Sequence, residues 1–128
     1  MKFHADPLHD FSIKAYGTDW VQLPQQRLAQ SVILSSEGRQ ELWDCPRFED
    51  LTAEHLLHLA STSQQAQVVL LGSGLRNRFP PPAWLRPFAQ YQLGLETMDT
   101  AAACRTFNVL AGEGRKVVAA LILESAPA

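Results

Sequence analysis

A chain of 128 residues fits one domain, residues 1–128, and is long enough to bury a core of its own. An apolar fraction of 46% and a charged fraction of 19% are ordinary for a soluble globular protein and exclude a disordered or low-complexity chain. A net charge of −2 gives no general attraction to nucleic acid or anionic lipid, and no apolar run reaches membrane-spanning length.

Phe11 to Tyr16 alternates, with Phe11, Ile13 and Ala15 on one side, which predicts a strand. Gly17-Thr18-Asp19 reads as a turn, and Trp20 to Leu23 as a short strand ended by Pro24. Arg27 to Ser35 reads as one longer strand. Ser36-Glu37-Gly38 signals a hairpin, with Gln40 to Trp43 as the returning strand. From there helix and strand alternate. Ala53, Leu56, Leu57 and Ala60 stand at helical spacing and predict a helix over Thr52 to Ser61, capped by Asp50 or Thr52. Val68 to Leu71 is wholly apolar, as in a strand buried on both faces.

Gly72-Ser73-Gly74 breaks that strand, and Pro80-Pro81-Pro82 opens a second helix that Pro87 distorts. Leu93 to Met98 is a further strand. A third helix runs from Thr100 to about Ala111, with Asp99 as cap and Gly112 as terminator. Lys116 to Leu123 is the last strand. This order implies an α/β fold with a mixed sheet covered by helices. Val68–Leu71, Leu93–Met98 and Lys116–Leu123 should share one sheet, with Ala103, Phe107 and Leu110 laid on it.

Candidate sites cluster in two places. On the third helix, Ala101, Arg105 and Asn108 share a face, and the free N–H groups at its start favour an anion. Asp99 opposes a bound phosphate, because as a cap it already supplies negative charge. The plainer reading is that Asp99 caps, Arg105 pairs with Glu96 or Glu113, and Asn108 bonds a loop. The second place is the loop Gly72 to Arg78, where Gly72 and Gly74 with Arg76 and Arg78 could grip a carboxylate or phosphate. It is not a dinucleotide fingerprint, since Asn77 fills the third glycine position, and it has no Gly-Lys-Ser/Thr. The plainer reading there is a turn with solvated arginines.

Other chemistry-bearing residues are weaker. Cys45 and Cys104 are too few for a disulfide framework or a closed zinc site and read as free thiols of a cytoplasmic protein. Cys104 lies beside Arg105 but has no histidine near it in sequence, so it reads as packed. His55 and His58 stand at i and i+3 without a third ligand and read as a solvated helix face. His4 and His9 support no site. Met1 to Asp10 lacks the apolar core of a signal peptide and carries Asp6 and Asp10, which presequences avoid.

Leu71 through Leu123 resembles the Mth938-like domain family, which is widespread in bacteria and archaea. The resemblance rests on Gly72 and Gly74, Phe79-Pro80, Glu96, Met98-Asp99-Thr100, Ala103-Cys104-Arg105-Thr106, Asn108-Val109-Leu110, Glu113-Gly114-Arg115 and Ala119-Ala120-Leu121. Ile13, Tyr16-Gly17 and Trp43 are weaker matches. Phe107 departs from the frequent tyrosine, and Gln92 stands where a glycine often ends the second helix. The resemblance implies a three-layer α/β arrangement around a mixed five-stranded sheet, with a small extra β-layer. Its animal members include a mitochondrial assembly factor for respiratory complex I, and it supplies no catalytic residues.

The reading is therefore a non-catalytic accessory or assembly protein, of the kind used in respiratory-complex or membrane-protein biogenesis. It would need no cofactor and no metal. It would act on a protein partner, with no nucleic acid and no stable membrane insertion. Gly72, Gly74, Arg76, Arg78, Asp99, Thr100, Arg105 and Asn108 would form the binding surface. The competing class is a small-molecule anion binder or enzyme using the Gly72–Arg78 loop and the start of the third helix. In either case loop and helix should meet at one end of the sheet, with Arg76 or Arg78 near Asp99, Thr100 and Arg105.

Overall fold

The computed structural model describes residues 11–125; His4 and His9 lie outside them. The elements in order are β1 (Ala15–Tyr16), β2 (Val21–Gln22), β3 (Arg27–Leu28), β4 (Val32–Ser35), β5 (Gln40–Leu42), α1 (Ala53–Ser61), β6 (Val68–Gly72), α2 (Arg86–Gln90), β7 (Leu95–Met98), α3 (Thr100–Gly112) and β8 (Val117–Leu121). Short 3-10 turns cover Phe48–Asp50 and Pro82–Leu85. β1, β2 and β3 form a small antiparallel sheet; the main sheet has the order β5-β4-β8-β6-β7. β6 runs parallel to both β7 and β8, while β4 is antiparallel to β8 and β5, so the main sheet is mixed.

Strand periodicity divides the core in two. Val32, Leu34, Val68, Leu70, Val117, Ala119 and Leu121 face one side, with Ala103, Cys104 and Phe107 of α3. Ile33, Val69, Leu71, Val118, Ala120 and Ile122 face the other, with Leu56 and Leu59 of α1 and Phe88 of α2. The three predicted strands do share one sheet, and Phe107 is fully buried on it. The small sheet joins the α3 side through Val21. The result is the expected three-layer α/β arrangement with a small additional β-layer.

Several sequence expectations are corrected. Arg27 to Ser35 is two strands in two sheets, not one. The break falls at buried Ser31, whose Oγ accepts from Leu123 N–H (3.0 Å) and whose carbonyl accepts from Trp43 N–H (2.8 Å). Those bonds hold the crossover between layers. Phe11 to Tyr16 is strand only at its last two residues, and Phe11 is exposed. In α1 it is Leu59, not Leu57, that is buried with Leu56 and Ala60. Thr52 is the cap, and His55 completes a capping box instead of facing solvent freely. The predicted second helix begins as a 3-10 turn, and Pro87 sits in the first turn of α2, where its missing N–H costs nothing.

The terminator of α3 is Gly114, not Gly112. Its N–H reaches Ala111 O, Arg115 N–H reaches Leu110 O, and its φ of +84° is left-handed, a Schellman ending. Gln92, after α2, also sits in the left-handed region, at φ +55°.

Candidate functional site

Parallel β6 and β7 deliver their C-terminal ends side by side. The chain leaves β6 toward the α2 layer and leaves β7 directly into α3, on opposite faces of the sheet. This is a topological switch point, where open α/β sheets hold ligands. Here Thr100 packs between the strand ends. Thr100, the first residue of α3, is buried; its Oγ1 donates to Ile122 O (2.7 Å) and accepts from Gly74 N–H (2.9 Å). Its own N–H donates to Gly74 O (2.9 Å), and Ser73 N–H donates to Met98 O (2.8 Å). A Cβ on Gly72 would lie 3.0 Å from Thr100 Oγ1 and 3.1 Å from its Cα, so the close approach needs glycine there.

Another N–H group at the start of α3 is met from within as well. Asp99 Oδ1 accepts from Ala102 N–H (2.8 Å), as the sequence expectation had it. Beside this junction lies a shallow hollow of about 240 Å³, lined by Tyr16, Thr18, Leu75, Asp99 and Ala101 among others.

Arg105 takes a partner other than those expected, while Asn108 bonds a loop as expected. Arg105 Nη1 donates to the Tyr16 hydroxyl (3.1 Å), not to Glu96 or Glu113, and that bond first, then charge, raises its pKa. Asn108 bonds both the N–H (2.8 Å) and the carbonyl (2.7 Å) of Ile13. α3 thus ties the small sheet down while leaving Arg105 and Val109 exposed.

Arg78 goes elsewhere. Its Nη2 donates to Ser73 O (2.9 Å) and to Glu124 Oε2 (2.7 Å), its Nη1 to Glu49 (3.2 Å), and its guanidinium lies 4.6 Å from the Phe48 ring centroid. Glu124 is buried and also accepts from the N–H groups of Phe48 (3.0 Å) and Leu75 (3.2 Å). Gly74, at φ +102°, makes room: a Cβ there would meet the Glu124 carboxyl carbon at 2.5 Å. Arg76 lines the same hollow of about 550 Å³.

The eight predicted residues therefore separate into two surfaces. Gly72, Gly74, Asp99 and Thr100 meet at the β6–β7 end, with Arg105 and Asn108 further along α3. Arg76 and Arg78 line a second hollow built on Glu124, and no bond joins either guanidinium to Asp99, Thr100 or Arg105 among the described residues. Sequence reasoning missed Glu124. Its one signal was a charge directly after the apolar run Leu121-Ile122-Leu123.

The thiols are sequestered. Burial first, then nearby carboxylates, pushes Cys45 up to about 12; burial pushes Cys104 to about 12 despite Arg105. Both are free. His58 Nε2 lies 2.6 Å from Glu41, and no group of metal-ligating side chains occurs among the described residues.

A family model described as a protein of unknown function, DUF498/DUF598, matches residues 13–122. The chain belongs to the DUF498/DUF598 family. The match spans both sheets and all three helices. NADH dehydrogenase [ubiquinone] 1 alpha subcomplex assembly factor 3 of Bos taurus is 35% identical over 80 residues, 62% of this chain and 44% of that protein. This DUF498/DUF598 chain thus spans less than half the length of the curated relatives it matches. A crystal structure of a Bordetella parapertussis protein superposes with a TM-score of 0.80 at 35% identity, covering 94% of this chain and 99% of that one. The solution structure of a Bordetella pertussis protein, described as a Mth938-like domain, gives 0.79 at 31% identity over 96% and 92%. No helix among the described residues is long and apolar enough to cross a membrane.

Proposed function

We propose that this DUF498/DUF598 chain is a non-catalytic accessory or assembly protein that docks a protein partner on the outer side of α3. The observation that carries the reading is Thr100. Its hydroxyl engages Gly74 N–H and Ile122 O at the strand ends, so neither group is left to hold a substrate. What α3 offers outward is Arg105, fixed by Tyr16, beside exposed Val109 one turn on. An arginine held in one geometry next to apolar surface suits a protein interface. Relatives named as assembly factors for a respiratory complex support the same class. We place its work in a reducing compartment, the cytoplasm, where two free thiols persist. The test compares Arg105→Ala and Val109→Asp with the parent in pull-downs from the source cells and in thermal melting. Capture should fall while melting stays close to the parent, since exposed substitutions usually change stability by within about 0.5 kcal/mol. Unchanged capture per folded molecule would reject the α3 surface.

A further inference from the structure

The Arg78 hollow has the features of a ligand site that the assembly reading does not use. Arg78 is immobilised before anything arrives: Phe48 covers its face, and Ser73 O and Glu124 occupy Nη2. Its side chain is 18% exposed, and that of Glu124 only 8%. Preorganisation of this kind removes the ordering cost of binding. Only Nη1 is offered outward, and it is met by Glu49, whose side chain is 63% exposed and reaches it at 3.2 Å. Arg47 and Arg76 line the same space. Arg47 is held by Asp50 through Nε (3.3 Å), whereas Arg76 has no charged partner among the described residues.

We propose that this hollow binds a carboxylate ligand between Arg78 and Arg76, with Glu49 as the internal group it displaces. Glu49 stays tethered beside the hollow, so a monocarboxylate adds one negative charge near buried Glu124. A phosphate dianion would add two next to that carboxylate, 2.7 Å from the same guanidinium. The planar fork of Arg76 also matches a carboxylate, with Nη1 of Arg78 as a further donor. The site lies beyond the C-terminal ends of β6 and β8, on the side of the Gly74–Leu75 turn away from Asp99.

The experiment is an NMR titration of the full chain at fixed ionic strength. The probes are acetate, an N-acetyl-Asp-Leu amide, inorganic phosphate and chloride. Both carboxylates should shift the amide signals of Glu49, Leu75 and Arg76 saturably, with phosphate about tenfold weaker or worse. Glu49→Gln removes the competitor and should tighten both carboxylates several-fold. Arg76→Ala, at an exposed position, should weaken them about tenfold. Tighter binding of the peptide assigns the ligand to an acidic side chain of a protein, tighter binding of acetate to a free small carboxylate. Shifts equal to those from chloride, or a Glu49→Gln chain that binds no tighter, would overturn the site. Neither result touches the α3 surface, which Arg105→Ala tests separately.

Discussion

Asn108 and Ile13, 95 residues apart, are joined as two strand neighbours are: the side-chain amide accepts from the Ile13 N–H and donates to the Ile13 carbonyl. The amide orientation follows from the partners, since an N–H needs an acceptor and a carbonyl needs a donor. One turn of α3 thus supplies what a missing strand would have supplied to this part of the chain.

Asn108→Ala should therefore destabilise the fold by about 1–3 kcal/mol, because two backbone groups lose their partner in a half-buried place. Asn108→Asp should cost more above the carboxylate range, since an acceptor oxygen would face the Ile13 carbonyl oxygen. Urea unfolding at neutral pH checks both. Equal stability of the Asp variant and the parent would show that the pairing contributes nothing.

Thr100→Val keeps the shape and removes the hydroxyl that joins Gly74 and Ile122. Two buried backbone groups lose a partner, so a loss of about 2–4 kcal/mol is expected. Thr100→Ser keeps the hydroxyl and should lose less than half of that. The pair of midpoints separates hydrogen bonding from packing.

That three of the strands share one sheet, and the face buried by Phe107, were legible because they follow from element order and apolar period. Val68 to Leu71 and Leu121 have no polar choice to make. The split at Ser31 was not legible, since a small polar residue just ahead of the apolar run Val32 to Leu34 looks tolerated until its hydroxyl is seen accepting from Leu123. The candidate site divides on the same ground. Asp99 caps its own helix, a local event that spacing predicts. Arg78 finds Glu124, 46 residues on, and Arg105 finds Tyr16, 89 residues back, through contacts that no local pattern encodes.

Native protein should resist alkylation by iodoacetamide at about pH 8, because burial leaves Cys45 and Cys104 with pKa values of about 12. Labelling of both should appear only in denaturant and follow the unfolding curve. Mass spectrometry of the labelled chain reads it. Rapid labelling of Cys104 in the native state would mean that α3 opens locally.

Glu41 sets part of the acid limb. Burial alone would raise its pKa, yet hydrogen bonds from Arg39 and His58 bring it below 4.5. A carboxyl depressed on folding contributes stability that is present above its ordinary value and lost as pH falls through the folded one. Glu41→Gln should therefore lower stability at neutral pH and flatten its decline below about pH 4.5. The effect is small, because the side chain is partly exposed and screened. Parallel acid-unfolding curves for parent and variant would remove Glu41 from the account.

The strand at the middle of the main sheet, between β4 and β6, is the last of the eight to leave the ribosome. Until Leu121 has emerged, the β4–β5 hairpin and the β6–β7 unit each present an open inner edge with nothing to join them. The sheet thus cannot close until its last strand has been made, and a nascent chain stalled near Arg115 holds two half-sheets that other chains can pair with.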